Sequence, residues 1–137
     1  MEFTKTFPAQ ISAPAKKISM NIYFCNFPAQ DGERSVLANH IDFVGLISDG
    51  ILKIYNEKHE LNYFFISGGI AKMKQNHFFI VTEKLILPSN IKKEEIEKLL
   101  ESHSKKRVTE SYTFEKKQKD IQSAKSMLKI LEKIGKL

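Results

Sequence analysis

The hydrophobic period of this chain changes at Leu87-Pro88-Ser89-Asn90, and the change divides it into two kinds of structure. Before that point apolar residues alternate. Ile18, Met20, Ile22 and Phe24 point one way, and Ser19, Asn21, Tyr23 and Cys25 the other, as in a strand with one buried face. Further short strands are expected at 7–12, 34–37, 41–47, 51–55, 61–66, 70–73 and 78–82. The separators "PAQDGE", "SDG", "NEKHE" and "KQNH" are rich in turn formers. Seven or eight strands at this spacing predict an all-β sandwich, a flattened antiparallel barrel, over residues 1–87.

After Pro88 the period is helical. Ile96, Leu99, Leu100 and His103 fall at i, i+3, i+4 and i+7. Ser89 or Asn90 can cap this helix, and Glu94 and Glu95 suit its first turns. A break over 104–111 precedes a second stripe of Ile121, Ala124, Leu128 and Leu131, widened by Met127, Ile130 and Ile134. Thr109, Ser111 and Thr113 are alternative caps for it. Residues 88–137 therefore read as an α-helical hairpin.

The charge of +6 is uneven. Residues 1–87 carry nine Lys/Arg and eight Asp/Glu, and residues 88–137 carry thirteen and eight. The last helix alone holds Lys116, Lys117, Lys119, Lys125, Lys129 and Lys133. A basic chain suits an anionic partner: nucleic acid, a membrane surface or an acidic protein. A single-strand binder would interleave aromatics with lysines on one face. Here the aromatics lie mostly in the nearly neutral half, which argues against nucleic acid. No long apolar stretch suggests a signal peptide or a membrane span, so membrane association is expected only peripherally. Cys25 stands alone, which excludes an internal disulfide and fits a reducing compartment.

Catalytic chemistry finds no support. "FFISGGIAKMKQN" has neither phosphate-loop pattern, and no helix follows Ser67-Gly68-Gly69 to supply a dipole. These glycines read as a backbone corner, where positive φ or close approach is needed. His40, His59, His77 and His103 have no partner at i+3 or i+4, so no metal site is expected. His40 reads either as a turn residue or as part of an interface.

The order of these pieces resembles the epsilon subunit of F-type ATP synthase, the bacterial type of a small central-stalk family. "ISAPAKKISMNIYF" looks like the first two strands. "FPAQDGERSVLANHIDFVGLISDGILKI" looks like the middle motif, with Pro28, Gly32, Glu33, Leu37, His40 and Gly50 in place. "FFISGGIAKMKQNHFFIVTE" looks like the family's Ser-Gly-Gly segment, so Gly32, Gly50, Gly68 and Gly69 are expected as structural glycines. The family's Pro-Gly before the histidine is Ala38-Asn39 here. The ATP motif that some members carry on the first helix is altered, with Lys92 for Asp and Glu95 for Arg, and no cofactor is expected.

The resemblance implies a non-catalytic subunit joining gamma to the c-ring at the cytoplasmic face of the bacterial inner membrane. It implies that Glu33 faces the c-ring loops and that His40 lies at the gamma interface. It also implies a hairpin able to extend into the alpha/beta catalytic head and restrain ATP hydrolysis. The six lysines of the last helix are candidates for those contacts. A small basic nucleic-acid-binding adaptor is the alternative reading.

Overall fold

A computed structural model describes residues 4–135. It divides into two compact units, Met1–Leu85 and Ile86–Leu137. The first contains β1 (Phe7–Ala13), β2 (Lys16–Ala29), β3 (Gly32–Leu37), β4 (Phe43–Ile47), β5 (Gly50–Asn56), β6 (Leu61–Ser67), β7 (Gly69–Lys74) and β8 (His77–Val81), followed at its end by β9 (Lys84–Ile86). The second contains a short 3-10 turn (Pro88–Asn90), α1 (Lys93–Lys105) and α2 (Phe114–Lys133).

The strands run in the order β1-β8-β7-β4-β2-β5-β6-β9, and β3 also pairs with β2. An additional β1–β2 pairing returns this path on itself, so the sandwich is a flattened barrel. The β1–β2, β2–β3, β2–β4, β2–β5, β4–β7, β5–β6 and β7–β8 pairs are antiparallel, whereas β1 and β8 run parallel in the register Ala9↔Phe78 to Ser12↔Val81. The core holds Phe7, Ile11, Ile22, Cys25, Phe27, Leu52, Ile54, Phe64, Met73, Phe78 and Ile80. The rings of Phe27, Phe43 and Phe78 pack together at centroid distances of 5.9–6.4 Å. Burial pushes the Cys25 thiol far above its usual range, so it behaves as a small apolar core residue.

Three local expectations are corrected. Phe24 does not join Ile22 in the core. The register against β5 shifts between Ile22 and Phe24. From there the buried positions become Cys25, Phe27 and Ala29. A bulge adds one residue to one strand and so exchanges its two faces. The strand expected over 41–47 begins at Phe43, which leaves His40–Asp42 in a loop. Neither Ser89 nor Asn90 caps α1. Both lie in the 3-10 turn, and the N-cap position is Lys92, with no side-chain cap. Glu94 and Glu95 in the first turn complement the helix dipole instead.

Of the three alternative caps for α2, Thr113 serves: its side chain accepts from the Lys116 N–H at 3.2 Å. Ala124, Ile130 and Leu131 are buried along this helix and Ile96 along α1. Leu99, expected in the α1 stripe, is exposed.

The turn at Gln75-Asn76 has both residues at positive φ, +48° and +66°. That is the type I′ geometry whose twist matches a two-residue β-hairpin, and it joins β7 to β8. Ser67-Gly68-Gly69 forms a corner. Gly68 has φ +63° and Gly69 φ +117°. The Ser67 hydroxyl donates to Asp49 Oδ1 at 3.1 Å. The buried Thr82 hydroxyl accepts from the Ser67 N–H and donates to the Ser67 carbonyl, at 3.2 and 3.0 Å. A Cβ on Gly69 would fall 1.9 Å from the Val81 carbonyl oxygen. The two glycines thus let β6 turn directly into β7 against the end of β8.

Candidate docking surface

The site residues are built on three separate elements. Glu33 is the second residue of β3, paired with Pro28 across the β2–β3 hairpin. Gly32, beside it, has φ +120°, and a Cβ there would meet open space. Gly50 has ordinary φ but sits 3.1 Å, measured from an ideal Cβ, from the Pro28 ring; its lack of a side chain lets β5 approach. In the same hairpin Arg34 donates to Asp31 at 2.6 Å, and this bond holds the Asp31 carboxyl below its usual range.

His40 follows the other end of β3. A tight turn over Ala38-Asn39, closed by the His40 N–H to the Leu37 carbonyl at 3.1 Å, carries the chain from β3 to His40. The loop around His40 is tightly made. Asn39 takes φ +64°, the left-handed conformation that asparagine tolerates. Its N–H donates to Asn76 Oδ1 at 2.7 Å, and the Gln75 N–H donates to Asp42 Oδ1 at 3.0 Å. The His40 ring lies edge-on to Phe43 at 5.2 Å, and its Nδ1 is 2.8 Å from the Ile41 carbonyl oxygen. Two reciprocal side-chain bonds between this loop and the β7–β8 turn therefore fix the corner that a Pro-Gly would otherwise stiffen. Asn76→Gly keeps the positive φ of the turn and removes only the bond to Asn39. It is expected to cost about 1 kcal/mol, read by chemical denaturation, and to speed exchange of the Asn39 amide roughly fivefold.

An apolar row that the sequence reading did not single out crosses β4, β7 and β8 at the end away from His40. Leu46 pairs with Ile70, and Ile70 pairs with Val81. All three are about half exposed or more, at 56%, 48% and 59%. Toward the His40 loop this face turns polar: Val44, 69% exposed, pairs with Lys72. Directly opposed residues on neighbouring strands share a face, so Leu46, Ile70 and Val81 form a row across β4, β7 and β8. An exposed apolar row of this kind is a candidate protein-docking face. The available signal was apolar residues at both parities of "FVGLI" and "GGIAKM", but parity alone does not say which face is covered.

The lysines of α2 are distributed widely. Lys125, Lys129 and Lys133 follow one another at i, i+4 and i+8 and share a row. Lys119 lies beside that row, whereas Lys116 and Lys117 fall on other sides of the helix. Among the described residues, no cluster of three His, Cys, Asp or Glu side chains is placed to hold a metal ion. Among the described residues no helix is long and apolar enough to cross a membrane.

Taken together, these features define a β-sandwich adaptor: a small barrel that presents an apolar face and is followed by a basic helical pair. Residues 6–88 match the family model of the ATP synthase delta/epsilon chain β-sandwich domain, and the chain belongs to that family. It is 33% identical over 73 residues to the ATP synthase epsilon chain of Pelagibacter ubique, covering 53% of this chain and 55% of that one. It is 30% identical over 112 residues to the epsilon chain of Clostridium novyi, covering 77% and 78%. With Rickettsia typhi the match covers 50% of this chain and 64% of the relative. The chain thus spans between half and two thirds of the length of several relatives it matches. Among solved structures, a chain of the Euglena gracilis mitochondrial ATP synthase (OSCP/F1/c-ring) shares the fold with a TM-score of 0.77 and 22% identity, over 98% of this chain and 84% of that one.

Proposed function

We propose that this chain is a non-catalytic central-stalk subunit of an F-type proton-translocating ATP synthase, bound peripherally at the cytoplasmic face of the inner membrane. The observation that carries the reading is the exposed row Leu46–Ile70–Val81 in a sandwich of the delta/epsilon family. This face receives the gamma subunit. Glu33, in the β2–β3 hairpin, meets the polar loops of the c-ring. The row Lys125, Lys129 and Lys133 faces an acidic segment of the alpha/beta head, an attraction that weakens as salt screens it.

Binding of ATP through the first helix is not part of this reading. Lys92 and Glu95, which stand where the ATP-binding members have Asp and Arg, lie 4.0 Å apart as an exposed ion pair. The motif's two charges are reversed and directed at each other.

The test is size-exclusion chromatography of the full chain with the gamma subunit of the same organism at moderate salt. Co-elution as a one-to-one complex is expected. Separate elution at micromolar concentrations, together with binding of a fluorescent single-stranded RNA, would replace the stalk reading with the nucleic-acid adaptor.

A further inference from the structure

The connection between α1 and α2 is built around one residue. From Lys106 to Thr113 every side chain is exposed except Tyr112, which is 4% exposed. Each of its polar groups is engaged. Its N–H donates to Thr109 Oγ1 at 3.0 Å, and its carbonyl accepts from the Thr109 N–H at 2.8 Å. Its hydroxyl donates to Asp120 Oδ2 on α2 at 3.2 Å and lies 3.4 Å from His103 Nδ1 on α1. His103 and Asp120 are themselves 3.8 Å apart. The ammonium of Lys106 sits 4.1 Å over the Tyr112 ring. Burial first, and then the bond to Asp120, raise the Tyr112 hydroxyl above its usual range. One side chain thus ties the end of α1, the turn and the second helical turn of α2 together.

We infer that Tyr112, with Asp120 and His103, is a latch that holds α1 and α2 antiparallel, and that its release is the step that lets the helical pair open. The inference rests on the expectation, implied by the family resemblance, that the helical pair opens to restrain ATP hydrolysis. Its physical basis is cooperativity. Straightening the chain over 106–113 carries the Tyr112 hydroxyl away from Asp120 and His103 together, and takes its ring out of the site under Lys106. The latch is therefore either made or lost as a unit, which is what a two-state element requires. Neighbouring charges do not substitute for it: Lys105 is occupied by Glu101 at 2.7 Å on α1 itself.

The test uses the full chain with spin labels at Lys98→Cys and Gln122→Cys, both on exposed positions; native Cys25 is buried and inaccessible to label. Electron–electron distances are expected to show one short population. Tyr112→Phe keeps the ring and removes the hydroxyl, and Asp120→Asn keeps an acceptor and removes the charge. Each is expected to raise the open-to-closed ratio roughly tenfold or more, giving a second, longer distance. Lys105→Gln, an exposed control, leaves the distribution unchanged. Unchanged distances in both Tyr112→Phe and Asp120→Asn, with helix content retained by circular dichroism, would overturn the latch. Opening of the helices in both variants, with no change in ATP hydrolysis by the assembled enzyme, would support the latch and refute the regulatory role on which it is set.

Discussion

Gly69→Ala is expected to cost about 4 kcal/mol or more, a magnitude reserved for strong backbone or core conflicts. The new methyl would fall 1.9 Å from the Val81 carbonyl oxygen and 2.9 Å from Thr82 Cα. Both are backbone atoms, so neither can rotate away. The φ of +117° adds strain of its own for an L-residue. Relief would require β8 to move, and β8 is the strand that pairs with both β1 and β7. In a domain of this size the penalty corresponds to a fall in melting temperature of roughly 15 °C or more, read by calorimetry on the full chain. Gly32→Ala provides the contrast. Its φ is also positive, but a Cβ there meets nothing within 4 Å, so only backbone strain of about 1–2 kcal/mol is expected. Equal losses at the two positions would show that the close approach to Val81 is not what selects glycine at residue 69.

Leu46→Glu combined with Ile70→Glu is expected to weaken gamma binding by at least a hundredfold while leaving the melting temperature nearly unchanged. Both side chains are largely solvent-exposed in the free chain, and surface substitutions of this kind usually shift stability by no more than about 0.5 kcal/mol. In a docked interface the same two carboxylates would be desolvated among apolar groups. Central interface positions commonly contribute 2 kcal/mol or more each, and every 1.4 kcal/mol is about tenfold in affinity. Titration calorimetry against gamma measures the loss. Wild-type affinity in the double variant would remove the β4–β7–β8 row from the proposed interface.

The broad architecture was legible because it rests on hydrophobic period, the strongest signal a single sequence carries. The switch after Leu87 marked the change from strands to helices, and "KQNH" marked the tight turn that the model shows as Gln75-Asn76. The inward side of β2 was legible only as far as Ile22. An added residue in a strand leaves no compositional mark, since Tyr23 and Phe24 are both acceptable on either face. The start of α1 was misread because Ser89 and Asn90 are good caps by residue type, while Pro88 favours a separate turn that ends before the helix begins. The docking surface was hidden for a related reason. In a thin sandwich one face of each strand meets solvent, and apolar residues at both parities do not say which face that is. The Tyr112 cluster joins residues 103, 112 and 120, a spacing that becomes meaningful only when two helices fold back on each other.

β2 has a mechanical consequence. Its first half pairs with β1, and its second half pairs with β3 and β5. One uninterrupted stretch of backbone, Lys16–Ala29, therefore belongs to both sides of the flattened barrel. Sliding one side past the other would have to stretch covalent bonds or tear several ladders at once, rather than slip along a plane of side chains. A barrel laced in this way is stiff in shear, and a load applied at one end of β3 reaches the other end with little lost to internal deformation.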